Sequence, residues 1–269
     1  MPSTSTSRRL LVSGRGLRLS FRTDIYRPWT WKEAASRLGQ APRKIEELKV
    51  LDGIDFDVFE GERVGILGVN GVGKTSLCRC VAGFYQPTAG KVRVHGEVRA
   101  IFDTAFGIQP ELTGRENAEL LSEFLYPGDF DKTELIEDAL DFSELGHFLD
   151  VPFRLYSNGM QARLCLSLIS CRPCDLLILD EVFEGADAFF RTKIARRILN
   201  MIEHSGAVLF VSHTPEQIKT VCNRLIVLHQ GKIAFDGDVD EGLAFYGGFS
   251  LPAGAQSTIY SADPEASPR

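Results

Sequence analysis

Two clusters of residues in this chain have the types and spacing to do chemistry on a phosphate. Gly68-Val69-Asn70-Gly71-Val72-Gly73-Lys74-Thr75 fits G-x-x-x-x-G-K-[ST] at every fixed position. Gly68, Gly71 and Gly73, with Asn70 in the same loop, let the backbone curl so that successive N–H groups face phosphate oxygens at the positive end of a helix. Lys74 reaches the outer phosphates and the Thr75 hydroxyl can ligate Mg2+. Ser76 follows and is grouped with the loop without an assigned contact. Alone, the loop implies a nucleotide hydrolase or kinase. Further on, Leu176-Leu177-Ile178-Leu179-Asp180-Glu181 is an apolar run ending in two acids. Asp180 can hold the metal, directly or through water, and Glu181 is placed to orient or deprotonate an attacking water. An acidic pair merely capping a strand is the bland alternative, disfavoured by the phosphate loop upstream.

These groups need strands that end at them and helices that start after them, and the pattern supplies both. Val50–Phe59 alternates apolar and acidic residues as a half-buried strand does. Arg63–Leu67 reads as a buried strand entering the glycine loop, and Thr75–Ala82 as the helix leaving it. Lys91–Phe102 reads as one or two strands. Helical stretches follow at Glu116–Phe124, Lys132–Leu145 and Asn158–Ser170. Strand Leu176–Leu179, helix Phe189–His204, strand Ala207–Val211, helix Pro215–Val221 and strands Leu225–Leu228 and Lys232–Phe235 complete the pattern. Alternating strands and helices predict an α/β fold with a largely parallel sheet.

Length and composition set the outer bounds. A chain of 269 residues with 44% hydrophobic and 25% charged residues suits one large soluble domain, with or without a smaller lobe. A net charge of −6 weighs against non-specific nucleic-acid binding, although Arg8, Arg9, Arg15, Arg18, Arg22 and Arg27 make the start locally basic. The first stretch is rich in Ser and Thr with no apolar core, and no apolar run approaches the roughly 18 residues of a membrane span. Attachment to a membrane is therefore expected to pass through a partner. Six cysteines include Cys171-Arg-Pro-Cys174; redox or zinc chemistry is one reading, and small buried thiols the preferred one. Residues 23–48, with Trp29 and Trp31, read either as a surface excursion or as a docking element. Residues 249–269, rich in Ser, Pro, Ala and Gly, read as a tail.

Between the two chemical clusters lies Tyr156-Ser157-Asn158-Gly159-Met160-Gln161-Ala162-Arg163. Here the chain resembles the ATP-binding-cassette family, whose signature has the form L-S-G-G-Q and falls at this place between the other motifs. Ser157 and Gly159 match it, while Tyr156, Asn158 and Met160 depart from it. The resemblance implies a nucleotide-triphosphatase core with a mostly parallel sheet, an antiparallel β subdomain, and a helical subdomain at about residues 105–172. The whole cassette would span 1–248. It implies ATP and Mg2+ as ligands, and a homodimer in which Ser157 and Gly159 face the γ-phosphate held by the opposite subunit. By the same resemblance His213, at the end of Val211-Ser212-His213, contacts the γ-phosphate and holds the water geometry. Asp187 takes the position that couples the two sites, and an aromatic near the end of the first strand, Phe21 or alternatively Tyr26, stacks on adenine.

Within that family the chain is most similar to exporters of surface polysaccharides. Tyr-Ser-x-Gly-Met, Gly107-Ile108-Gln109-Pro110-Glu111-Leu112-Thr113-Gly114-Arg115-Glu116-Asn117 and Asp180-Glu181-Val182 carry this likeness. It implies a subunit at the cytoplasmic face of the membrane, driving a separate permease that moves a lipid-linked glycan which the subunit itself does not bind. A soluble cassette protein acting on ribosomes or DNA is the rival, and lacks support from a second cassette or a coiled-coil insertion in this chain. The family's metal-linked glutamine before Pro110 is replaced: Asp103 is the preferred stand-in, Thr104 the other occupant of that turn, and Gln109 falls too late.

Overall fold

The computed structural model describes residues 8–22, 47–102, 107–180 and 188–250. The chain opens with β1 (Leu10–Arg22), which pairs antiparallel with β2 (Glu47–Phe59). Next, β3 (Arg63–Leu67) enters the glycine loop and α1 (Lys74–Val81) leaves it, before β4 (Ala89–Val94) returns to the other side of β1. The result is a three-stranded antiparallel sheet in the order β2-β1-β4.

The second sheet is built from shorter, more apolar strands. β5 (Val98–Ile101), β6 (Leu176–Asp180), β7 (Ala207–Val211), β8 (Arg224–His229) and β9 (Lys232–Gly237) join β3 in the order β5-β6-β7-β3-β8-β9. All neighbours run parallel except β8 and β9. Successive side chains of a strand point to opposite faces, and here both faces are covered. Leu176 and Ile178 of β6, with Ala207, Leu209 and Val211 of β7, join a core shared with α1 and the antiparallel sheet. Leu177, Leu179, Val208 and Phe210 join a second core on the other face. That is why these strands read as unbroken apolar runs.

The helices follow the same division. α2 (Gly114–Leu125), α3 (Thr133–Ser143) and α4 (Asn158–Ile169), with 3-10 turns at Gly146–Asp150 and Phe153–Leu155, enclose a third core around Leu121, Leu140, Leu149, Phe153, Leu164 and Leu168. α5 (Ala188–His204), α6 (Pro215–Val221) and α7 (Val239–Ser250) pack on the second core. Two expectations are refined. The stretch expected as one or two strands at Lys91–Phe102 is two, belonging to different sheets, with Gly96 at φ 105 between them. And α7 runs two residues past the expected cassette boundary at 248. The excursion up to residue 46, Tyr26, Asp103, Thr104, Glu181, Asp187 and the tail from 251 lie outside the described residues.

Candidate active site

The parallel order places the chemistry. β3, β7 and β6 are consecutive neighbours running the same way, so the glycine loop, Ser212-His213 and Asp180 all emerge at one edge of the sheet. Asp180 sits directly beside Val211 in register. Ligands in open α/β sheets bind at this carboxyl edge.

The loop's glycines are positional. Gly73 caps α1 at φ 111, and a Cβ there would lie 2.8 Å from Leu51 Cδ2 and 3.0 Å from the Val50 carbonyl. Gly71 has φ 78 with open space where a Cβ would go. Gly73 has no side chain to cap the first turn of α1, which leaves its N–H groups available to a bound anion. Lys74 is buried, and its Nζ donates to the carbonyls of Gly68 (2.8 Å) and Val69 (3.3 Å). Thr75 and Ser76 are half-buried one and two residues on, while Asn70 is exposed at the loop tip. This donor set suits a polyphosphate: backbone N–H groups, one ammonium and one hydroxyl.

Asp180 is buried at the end of β6. Asp180 alternates with Leu176 and Ile178, which join the core shared with α1, so it faces the α1 side of the sheet; there burial first and its carboxylate second push the Cys78 thiol of α1 well up. Among the described residues no group of three or more His, Cys, Asp and Glu side chains forms a metal cage. Mg2+ is commonly held by one or two carboxylates together with substrate phosphates and water, and the pair Thr75 and Asp180 fits that habit. His213 is exposed. Ser212, buried beside it, donates to Gln217 Oε1 (2.7 Å) and accepts from Thr214 N (3.0 Å), which fixes the turn that carries the histidine.

Ser157 and Gly159 lie elsewhere. Ser157 caps α4, its Oγ accepting from Met160 N at 3.3 Å, and it is exposed. Space beside Gly159 is open, the nearest atom to a Cβ being Ser157 Oγ at 3.9 Å. Among the described residues no hydrogen bond joins this helix start to the glycine loop of its own chain. Phe21 is 40% exposed and meets Tyr85 edge-on, with ring centroids 5.6 Å apart. Arg79 donates to that tyrosine's hydroxyl at 2.9 Å.

Thr113, Gly114, Glu116 and Asn117, which in the sequence mark only a likeness, hold this segment in place. Thr113 and Glu116 form a capping box at the start of α2, and the bonds from Thr113 hold the Glu116 carboxyl below its usual range. Asn117, fully buried, accepts from Gln109 N and donates to the carbonyls of Gln109, Leu112 and Thr113. A Cβ on Gly114 would collide with the Tyr156 hydroxyl, which donates to Phe148 O at 2.6 Å. Backbone bonds from Phe153 to Leu112 (2.8 Å) and Arg154 to Pro110 (2.9 Å) join the same two segments. Pro110 and Leu112 are thus stitched to the segment that leads into Ser157. The Thr-x-x-Glu spacing was the one visible signal.

Cys174 is buried and Cys171 half-buried, both thiols free. Cys171 donates to Ser167 O at 3.2 Å, and burial pushes its thiol up to about 11.

Comparison with known proteins agrees with this geometry. The profile of the ABC transporter family matches residues 51–184. The O-antigen export system ATP-binding protein RfbB of Klebsiella pneumoniae is 36% identical over 196 residues, covering 73% of this chain and 80% of that protein. The teichoic acids export ATP-binding protein TagH of Enterococcus faecalis is 34% identical over 206 residues, 77% of this chain but 46% of that longer protein. The fold matches a dimeric post-hydrolysis structure of the ATP-binding cassette MJ0796 bound to ADP and Pi, with TM-score 0.64 and 20% identity over 85% of this chain and 99% of that one. With these relatives, a carboxyl-edge phosphate loop and a separate serine-capped helix, the chain belongs to the ABC transporter family as one of its ATP-binding cassette ATPases.

Proposed function

We propose that this chain is the ATPase subunit of a polysaccharide exporter, working as a homodimer that closes on ATP and drives a separate integral-membrane permease. The relatives named for O-antigen and teichoic acid export support the cargo class. The observation that carries the dimer is the start of α4: Ser157 is exposed, Gly159 has open space beside it, and neither is bonded to the chain's own glycine loop. A helix N-terminus with a hydroxyl cap and free space is suited to a phosphate brought by a second molecule. Among the described residues no helix is long and apolar enough to cross a membrane, which suits a subunit held at the cytoplasmic face through its partner.

In this reading Lys74 and the first-turn N–H groups of α1 hold and orient the β- and γ-phosphates. Thr75, Asp180 and Asp103 would hold Mg2+, which when bound supplies charge neutralisation at the phosphates. Glu181 takes a proton from the attacking water or orients it, and His213 positions the γ-phosphate side of that geometry. Ser157 and the Gly159 amide of the partner close the pocket, Asp187 couples the two pockets, and Phe21 stacks on the base. The glycan is bound by the permease or another protein. Affinity capture of this subunit from detergent-solubilised membranes, followed by mass spectrometry, tests the assignment. Recovery of a multispanning protein whose loss blocks surface-glycan export is expected; capture of ribosomal or DNA-bound complexes instead would overturn it.

A further inference from the structure

Helices leave their last carbonyls unsatisfied and carry a partial negative charge at that end. The three helices of the helical subdomain present these ends to cations from the core. From β5, Arg99 reaches the Leu125 carbonyl at the end of α2 (3.4 Å), the Arg172 carbonyl just beyond α4, and the Glu97 carboxylate. From α5, Lys193 donates to Phe142 O at the end of α3 (2.9 Å), and Arg197 to Ser170 O at the end of α4 (3.1 Å) and to Asp138. The Arg99 guanidinium stacks 4.3 Å from the Tyr126 ring, whose hydroxyl donates to Leu168 O (2.5 Å) and Ile169 O (3.3 Å) in the last turn of α4.

These contacts differ in weight. Lys193 and Arg197, 30% and 16% exposed, line a cleft of about 910 Å³, where salt weakens them more than it would a fully buried group. The Arg99 side chain is 1% exposed, so its bonds act in a low dielectric and are costly to lose. Arg99 also lies beside Leu177 of β6, the strand ending in Asp180, and shortly before the segment holding Asp103. We propose that Arg99 is a positioning residue for ATP hydrolysis: it clamps the C-terminal ends of α2 and α4 to the core sheet and so fixes where the other end of α4 holds Ser157.

The lever is long enough to matter. Twelve helical residues span about 18 Å, so a tilt of about 10° at the clamped end carries Ser157 about 3 Å. A misplacement of about 1 Å can cost about 10²-fold in rate. The inference rests on the dimeric reading above, in which Ser157 completes the partner's pocket. The test compares wild type with Arg99→Met, Arg99→Lys, Tyr126→Phe, Ser157→Ala and the Arg99→Met/Ser157→Ala double variant. It measures ATPase kcat alongside equilibrium affinity for a fluorescent ATP analogue. Arg99→Met is expected to lower kcat about 10–100-fold with affinity within about twofold, and Arg99→Lys, whose single ammonium cannot reach the acceptors at Leu125, Arg172 and Glu97 together, to recover only part of that loss. The double variant should be no slower than its slower parent. Should Arg99→Met fail to fold, Tyr126→Phe, which keeps the ring and loses only the hydroxyl, is expected to lower kcat by about threefold or more at unchanged affinity. Parallel loss of affinity and kcat, an unaffected Tyr126→Phe, or fully multiplicative effects in the double variant would overturn the clamp. A Ser157→Ala protein with wild-type kcat would remove the dimeric reading beneath it.

Discussion

Lys74 and Asp180 are buried charges of opposite sign at one sheet edge. Burying charge is costly unless it is compensated, and the Lys74 ammonium is held by carbonyls of the loop it is meant to serve. A site that keeps two such groups is shaped for a charged ligand. Glu181 follows Asp180 in sequence, and its assignment as base is tested by substitution. Glu181→Gln is expected to retain nucleotide binding while cutting turnover about 10²–10⁴-fold, and near-normal turnover would remove Glu181 from the mechanism. The thiols make a separate case. Burial raises Cys80 and Cys171 to about 11 and Cys222 to about 12. A raised thiol is protonated at neutral pH and becomes nucleophilic only as pH nears its raised value. Iodoacetamide at pH 7.5 should therefore leave the folded protein's cysteines largely unmodified, whereas fast alkylation, or a native Cys171–Cys174 disulfide on mass spectrometry, would contradict the buried-thiol assignment.

At the scale of elements, a backbone stitch joins Pro110 and Leu112 to Arg154 and Phe153, just before Ser157. Asn117, fully buried, holds four backbone groups at Gln109, Leu112 and Thr113 on one side of that stitch. Asn117→Ala should cost about 1–3 kcal/mol through the polar groups left unpaired, read as a lower denaturation midpoint, with ATPase falling further than that loss explains. An unchanged midpoint would show that the stitch does not hold the segment. Much of this was legible in advance. β3, the glycine loop and α1 announce themselves because the motif demands a strand before it and a helix after it, and β6 and β7 because strands covered on both faces read as continuous apolar runs. The assignment of Lys91–Phe102 to two sheets was not, since sequence shows strand character but not which sheet receives it. α7 (Val239–Ser250) was missed because Gly242 and Gly247-Gly248 break its helical pattern. Arg99 was invisible: its burial depends on Leu125, Tyr126 and Arg172, distant in sequence, and nothing local marks an arginine in a strand as internal.

At the scale of the whole molecule, one chain carries a phosphate loop, a buried Asp180 at the same sheet edge and a serine-capped helix that, among the described residues, does not bond to that loop; in the proposed function a second copy completes the pocket. The most direct measurement places one cysteine at Asn70, on the exposed loop tip, and another at Ser157, in a Glu181→Gln background with the six native cysteines replaced. Each cysteine is carried on a separate chain, and the two proteins are mixed with a short bifunctional maleimide. A covalent dimer that forms with MgATP and is absent without nucleotide is the expected result. Failure to form it while both proteins bind ATP, or efficient Asn70–Ser157 crosslinking within a single doubly substituted chain, would contradict the composite site on which the proposed function stands.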